Sequence, residues 1–148
     1  MDLHEVGYSE ALPLVQALSD EMIERYGGGE PSHPLDPAAF APPLGVFLVA
    51  RADGEDVACG GVRPLRTGIA EVKRMYVAPG HRNRGLARAV LRALVAHART
   101  AGYAELWLET GTAQPEAIAL YLSEGFTPIT PYGQHRDHPD SRCYALHL

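Results

Sequence analysis

The stretch Val77-Ala78-Pro79-Gly80-His81-Arg82-Asn83-Arg84-Gly85-Leu86-Ala87-Arg88 joins two segments of different periodicity. Before it, Ile69 to Val77 (IAEVKRMYV) reads as a strand stopped by Pro79-Gly80. After it, Leu86, Val90, Leu94 and Ala98, with Ala87, Leu91 and Val95 beside them, give the broad apolar stripe of a helix starting near Arg84 and closed by Gly102. The first N–H groups of such a helix have no helical acceptor and lie at the positive end of its dipole, so an anion is a natural guest. Gly85 lacks the Cβ that would block a close approach, and Arg82, Arg84 and Arg88 add charge. Three arginines against the dipole need compensation, which favours a bound anion over a helix start that only meets solvent ions. Residue types and spacing carry the reading that far and no further.

Working outward, Gly45 to Ala52 reads as a strand, Asp53-Gly54 as a hairpin turn and Val57 to Arg63 as the returning strand, with Gly60-Gly61 marking a bulge or a weakened stretch. Upstream, Ser9 is a candidate N-cap for a helix whose Leu14, Leu18, Met22 and Tyr26 recur every four residues before Gly27-Gly28-Gly29 ends it. The stretch from Gly27 to Pro43 is rich in Gly and Pro, with one short helical turn expected around Asp36 to Phe40. Downstream, Ala104 to Thr110 reads as a strand, Gln114 or Pro115 to Glu124 as a helix, and Phe126 to Thr130 with Arg142 to Leu148 as a final strand pair. This order predicts a single α/β (α+β) domain over residues 1–148, with a mixed sheet containing at least one parallel crossover.

Composition narrows the function classes. The chain has 148 residues, 46% of them hydrophobic and 21% charged, as expected for a globular domain with a real core. A formal charge of −5 gives no support for binding to nucleic acid or an anionic membrane. No secretory signal or bilayer-length apolar run is present, and Cys59 and Cys143 form neither a metal-finger spacing nor a disulfide framework. A cytoplasmic protein with two reduced thiols is the simplest expectation.

Arg82-Asn83-Arg84-Gly85-Leu86-Ala87 resembles the acetyl-CoA signature of the GNAT superfamily of N-acetyltransferases, (Gln/Arg)-x-x-Gly-x-(Gly/Ala). The strand Glu71 to Val77, the long helix, Leu106 to Thr110 and the segment Ala119-Leu120-Tyr121-Leu122-Ser123-Glu124-Gly125-Phe126 resemble that family's later motifs in the same order. The likeness covers roughly residues 45 to 130, and the element order extends it to nearly the whole chain. The segment lacks the Gly-x-x-x-x-Gly-Lys-Ser/Thr of nucleoside triphosphatases and the three spaced glycines and acid of a dinucleotide fold.

The resemblance implies a mostly antiparallel sheet of about six or seven strands with flanking helices and a splayed parallel pair. It implies acetyl-CoA as co-substrate without a metal, and direct transfer of acetyl to a primary amine of a small molecule or amino-acid-like acceptor. The pantetheine arm would then contact the main chain of Met75, Tyr76 and Val77, and the pyrophosphate would sit on amides from Arg82 through Asn83, Arg84, Gly85, Leu86 and Ala87 to Arg88. Tyr121 falls where many members carry a tyrosine that protonates the leaving thiolate, and Glu71 where some carry a catalytic glutamate. Read without the family, Tyr121 is a packing aromatic and Glu71 a solvated strand carboxylate paired with Lys73 or a neighbouring strand. Glu109 or a water chain are the other candidates for the base.

The remaining singled-out residues read blandly. His135, Asp137, His138 and Asp140 form a solvated loop without a convincing third metal ligand, Trp107 is expected in the core, and the helix arginines are expected on a solvated face. The acceptor site is expected from the first helix, the stretch 27 to 43 and the loop 131 to 141. Asp20, Glu21, Glu24, Glu30 and Asp36 would attract a cationic amine, whereas Arg63, Arg66, Lys73, Arg74 and Arg136 would hold a carboxylate. A non-catalytic acyl-CoA-binding module is the alternative function, and a homodimer is compatible with either.

Overall fold

Two hairpins and one crossover generate the sheet. In the computed structural model, which describes residues 2–29 and 33–148, Val46–Ala52 (β2) turns at Asp53 and Gly54, both at positive φ, into Glu55–Arg66 (β3). Paired positive φ values are what a two-residue hairpin needs to match strand twist. A second tight turn at Gly68 leads to Ile69–Val77 (β4), and Glu105–Gly111 (β5) lies parallel to β4. Asp2–Glu5 (β1) borders β2, and Thr127–Ile129 (β6) and Ser141–His147 (β7) complete the far side, giving the order β1-β2-β3-β4-β5-β7-β6. The seven-stranded sheet is antiparallel except at β4–β5, as the element order and the resemblance implied.

Helix Leu86–Thr100 (α2) makes that parallel crossover and covers one face of the sheet. Its Leu91, Leu94 and Val90 are fully buried against residues such as Val62, Val72 and Leu106. Burying side chains of this size stabilises the fold by roughly 1.5–3 kcal/mol each. Gly102 ends the helix at φ 89°, and the Tyr103 amide donates back to the Ala98 carbonyl at 3.2 Å, the long bond of a glycine-terminated cap. Strand alternation sends Phe47 and Val49 to the opposite face, where Tyr8, Phe40 and Leu14 of Leu12–Arg25 (α1) form a second, smaller core. Pro115–Ser123 (α3) follows β5.

Two points differ from the sequence reading. Asp2–Glu5 (β1) forms an edge strand on β2 that its exposed, unpatterned residues did not signal. Ser9 caps nothing: Tyr8–Ala11 form a 3-10 turn and α1 begins at Leu12 after Ala11, because Tyr8 is drawn down to stack on Phe40 at 4.8 Å. The stretch 36 to 40 does form its short turn, with Asp36 accepting the Ala38 amide at 3.0 Å. Among the described residues, no helix is long and apolar enough to cross a membrane.

Candidate functional site

The parallel pair is short. Register holds only for Ile69–Glu105, Ala70–Leu106 and Glu71–Trp107, after which β4 and β5 part. Among the described residues, the β4 edge facing β5 has no ladder partner from Val72 onward, and neither has the β5 edge from Leu108. Inside a protein, unpaired strand edges call for a hydrogen-bonding guest. β4 is further shaped by a bulge: Cys59 pairs with Tyr76 and Gly61 with Lys73, so Arg74 and Met75 stand opposite Gly60 alone. Arg74 takes φ 62° there, uncommon for a non-glycine residue and a mark of a locally imposed geometry. Gly60 makes room for the shifted Met75, whose Sδ would lie 2.5 Å from a Cβ at that position.

At one end of the gap lies the turn into α2. Asn83 and Gly85 both have positive φ, 62° and 79°, and no side chain caps the helix, so the amides of Leu86, Ala87 and Arg88 have no intrahelical acceptor. A Cβ at Gly85 would meet open space, with no protein atom beyond its chain neighbours within 4 Å. Leu86 is buried, so only its main chain is offered, and Arg84 is exposed. Arg82 is less free than the sequence suggested: its Nε donates to the Val77 carbonyl at 2.9 Å, and its guanidinium pairs with Glu21 of α1 at 2.5 Å. Arg88 turns away from the turn to Ser123 and Glu124, which also accepts from Arg92 at 3.1 Å. These two helix arginines therefore tie α2 to the end of α3, while Arg92 and Arg99 stay exposed as expected of a solvated face.

On the α1 face the gap opens into a cleft of about 700 Å³. Tyr121 of α3 lines it, 6% exposed, and burial pushes its phenol up, so the hydroxyl keeps its proton at neutral pH. Glu71 sits at the point where the strands part, 3% exposed. Its Oε1 accepts from Arg63 Nε at 3.0 Å and Nη2 at 2.9 Å, and its Oε2 accepts from the Tyr132 hydroxyl at 2.6 Å. Arg63 faces it directly across the β3–β4 ladder, so the expected pairing with a neighbouring strand holds, with Lys73 a distant third at 4.0 Å, but the carboxylate is buried rather than solvated. Glu109, from the unpaired part of β5, also lines the cleft; burial raises its pKa, with His135 and Lys73 opposing the rise.

The rest of the wall comes from the segments the sequence singled out. Leu18, Met22 and Tyr26 of α1 line the cleft, so this stripe is not simple core. Tyr26 closes over β5 so tightly that a Cβ at Gly111 would fall 1.9 Å from its hydroxyl, which accepts from Gln114 at 3.2 Å. His33, His135, His138 and Asp140 contribute from the loops. Among the described residues no group of three or more His, Cys, Asp or Glu is placed to hold a metal. Glu30 lies outside the described residues, and Arg136 is exposed, donating to the Gly133 carbonyl at 3.0 Å. Trp107 is half-buried on the cleft side, 5.1 Å from the Tyr132 ring and beneath Arg66 at 4.8 Å, because strand alternation points it away from α2. Tyr132 itself escaped the sequence reading, since no periodicity marks a residue in that loop. Both cysteines are buried, burial pushing the Cys59 thiol up to about 12 and raising that of Cys143, so neither is an activated nucleophile.

Residues 14–126 match the Acetyltransferase (GNAT) family. An IAA acetyltransferase of Azospirillum brasilense is 40% identical over 124 residues, which span 80% of this chain and 81% of that protein. The uncharacterized N-acetyltransferase C1271.07c of Schizosaccharomyces pombe is 34% identical over 95 residues, which span 63% of this chain and 58% of that protein. A Klebsiella pneumoniae structure assigned to the acyl-CoA N-acyltransferases superposes with a TM-score of 0.82 at 31% identity, covering 99% of this chain and 97% of that one. An Elizabethkingia anophelis GNAT acetyltransferase solved with acetyl-CoA bound shares the fold at a TM-score of 0.73 and 18% identity, covering 99% and 97%.

Proposed function

Because the chain belongs to the Acetyltransferase (GNAT) family, we propose that it moves an acetyl group from acetyl-CoA directly to a primary amine of a small acceptor, with residues 1–148 acting as one catalytic domain. The observation that carries this reading is the parting of β4 from β5 after three register pairs, in line with an uncapped helix start. A pantetheine arm is an extended chain with two amides, which suits two unpaired strand edges. The main chain of Met75 and Tyr76 supplies the β4 side; the Val77 carbonyl is already engaged by Arg82. The pyrophosphate fits the free amides from Gly85 to Arg88, with Arg84 and Arg82 beside them.

The acetyl thioester then lies in the gap near Tyr121. The attacking amine must be neutral, since an ammonium has no lone pair. Glu109 serves as the base: it lines the cleft, and its raised pKa makes it a better proton acceptor than an ordinary carboxylate. Glu71 has both oxygens filled by Arg63 and Tyr132, and its role is to hold the sheet centre and the cleft electrostatics in place. The tetrahedral oxyanion is met by main-chain N–H groups at the β4 bulge, where Arg74 and Met75 stand outside the ladder. Collapse breaks the carbon–sulfur bond, and Tyr121 donates its proton to the departing thiolate.

Release of free thiol from acetyl-CoA, measured against a panel of primary amines, tests the reading. Amine-dependent release is expected, with N-acetylated product in equal amount. Tight CoA binding with no release from any amine would overturn it in favour of a non-catalytic acyl-CoA-binding module.

A further inference from the structure

Within the same cleft, Lys73 is an under-partnered cation. Three-quarters of its side chain is buried, yet its nearest carboxylate oxygen is Glu71 Oε1 at 4.0 Å. That oxygen already takes two hydrogen bonds from Arg63, and the other is held by Tyr132. Lys73 thus offers three N–H donors with no hydrogen-bond acceptor among the described residues. Burying an ammonium is costly unless it is paired, and the two further cations beside it, Arg63 and Arg74, deepen the deficit. Arg74 does nothing to relieve it: its donors go to the neutral His33 carbonyl at 2.6 Å and the Tyr8 hydroxyl at 3.5 Å. The charges that act on Lys73 are Glu71 and Glu109 against Arg63 and Arg74, so with its own charge the group carries an excess of one positive charge. The lowered pKa of Lys73, caused first by burial, reports the same shortage. Elsewhere on the cleft wall the buried Thr110 hydroxyl also has no partner among the described residues.

We propose that Lys73 is a specificity residue that binds a carboxylate of the acceptor, so that the acceptor class is amino acids rather than simple amines. The inference rests on the acetyl-transfer reading for what happens at the amine, but not for the carboxylate site itself. Glu109 and Lys73 both project from the unpaired parts of β5 and β4 and act on each other electrostatically. A free amino acid presents the complementary pair: its ammonium meets Glu109, where it loses its proton, and its carboxylate meets Lys73. A polyamine or a monoamine would leave Lys73 unpaired and add positive charge to a cleft that already has a surplus.

The test uses matched acceptors, the twenty L-amino acids and their carboxamides, with two readouts on the full chain. Calorimetry in the presence of CoA reads binding, and thiol release reads transfer. For at least one amino acid, affinity is expected to exceed that of its carboxamide by about tenfold or more, the worth of one charge-assisted hydrogen bond. Lys73→Met should erase that preference by raising KM with kcat little changed, and Lys73→Arg should restore part of it. Carboxamides binding as well as acids, or a preference untouched by Lys73→Met in a folded variant, overturns the inference even if transfer proceeds. Lys73-dependent carboxylate binding with no thiol release from any amine supports this site and defeats the acetyl-transfer reading instead.

Discussion

Replacing Gly85 by Ala separates the two jobs that this residue performs. Gly85 sits at φ 79° and ψ 12° as the residue before the first turn of α2. An L-residue in that left-handed conformation costs roughly 1–2 kcal/mol. The new methyl meets no protein atom within 4 Å, so no clash adds to that cost. For a chain of this size each kcal/mol lowers Tm by about 2–4 °C, so a fall of about 2–8 °C is expected. Binding should suffer more. In the proposed site a phosphate oxygen must approach the free amides of Leu86 and Ala87 to hydrogen-bond distance, and a methyl on the residue just before them competes for the open space there. Losing one charge-assisted hydrogen bond, worth about 1.5–3 kcal/mol, weakens CoA binding by about 10- to 150-fold. Calorimetric titration with CoA, paired with a melting curve on the same preparation, reads both numbers. Asn83→Gly is the control, since φ 62° suits glycine and no capping bond is lost, and its CoA affinity should stay within about threefold of wild type. If Gly85→Ala melts lower as expected but binds CoA as the parent does, the pyrophosphate does not lie on this turn, and the reasoning fails at its first step.

Three further outcomes are expected. Glu109→Gln should remove the acidic limb of the kcat/KM profile: the base works only when deprotonated, so wild-type activity is lost as pH falls through a pKa held above the usual carboxylate range by burial; an unchanged profile in the variant would move the base elsewhere. Tyr121→Phe should lower kcat about 100-fold or more with little change in the KM for acetyl-CoA, the expected size for loss of a general acid; steady-state kinetics showing kcat retained would return Tyr121 to a packing role. Arg63→Met should destabilise the fold by about 3 kcal/mol or more, because it strands a carboxylate that is 3% exposed, and Tyr132→Phe by about 1–3 kcal/mol; denaturant unfolding with both losses under about 0.5 kcal/mol would contradict the pairing.

The turn into α2 was legible in the sequence because its geometry is written in residue types. Gly85 and Asn83 are the residues that tolerate the left-handed backbone found there, and the α2 stripe states which face is buried. The hairpin at Asp53-Gly54 and the helix end at Gly102 were legible for the same reason. Edge strand β1 was not, since a four-residue strand exposed on both faces carries no alternation. Side-chain partners across the site were illegible as well: Glu71 is held by Arg63, eight residues away, and by Tyr132, sixty-one away, and nothing local announces the second. The α1 stripe shows a subtler limit. Apolar spacing says that Leu18, Met22 and Tyr26 face inward, but not whether the interior they meet is packed core or cleft.

The two ends of the proposed reaction are therefore built from different materials. On the donor side the groups are main chain: two strand edges that part after Glu71–Trp107, a bulge at Arg74 and Met75, and the amides following Gly85. Such groups are fixed by backbone geometry, so most side chains there can vary while the site persists. On the acceptor side the groups are side chains from separate elements: Glu109 of β5, Lys73 of β4, Tyr26 of α1 and His135 of the loop before β7. Each can change without disturbing the sheet, because none belongs to the packed core between the sheet and α2. A fold divided in this way keeps one co-substrate while its acceptor shifts by a few substitutions. That division is why the sequence pointed firmly to CoA but offered five cations for a carboxylate, among which only the three-dimensional placement singled out Lys73.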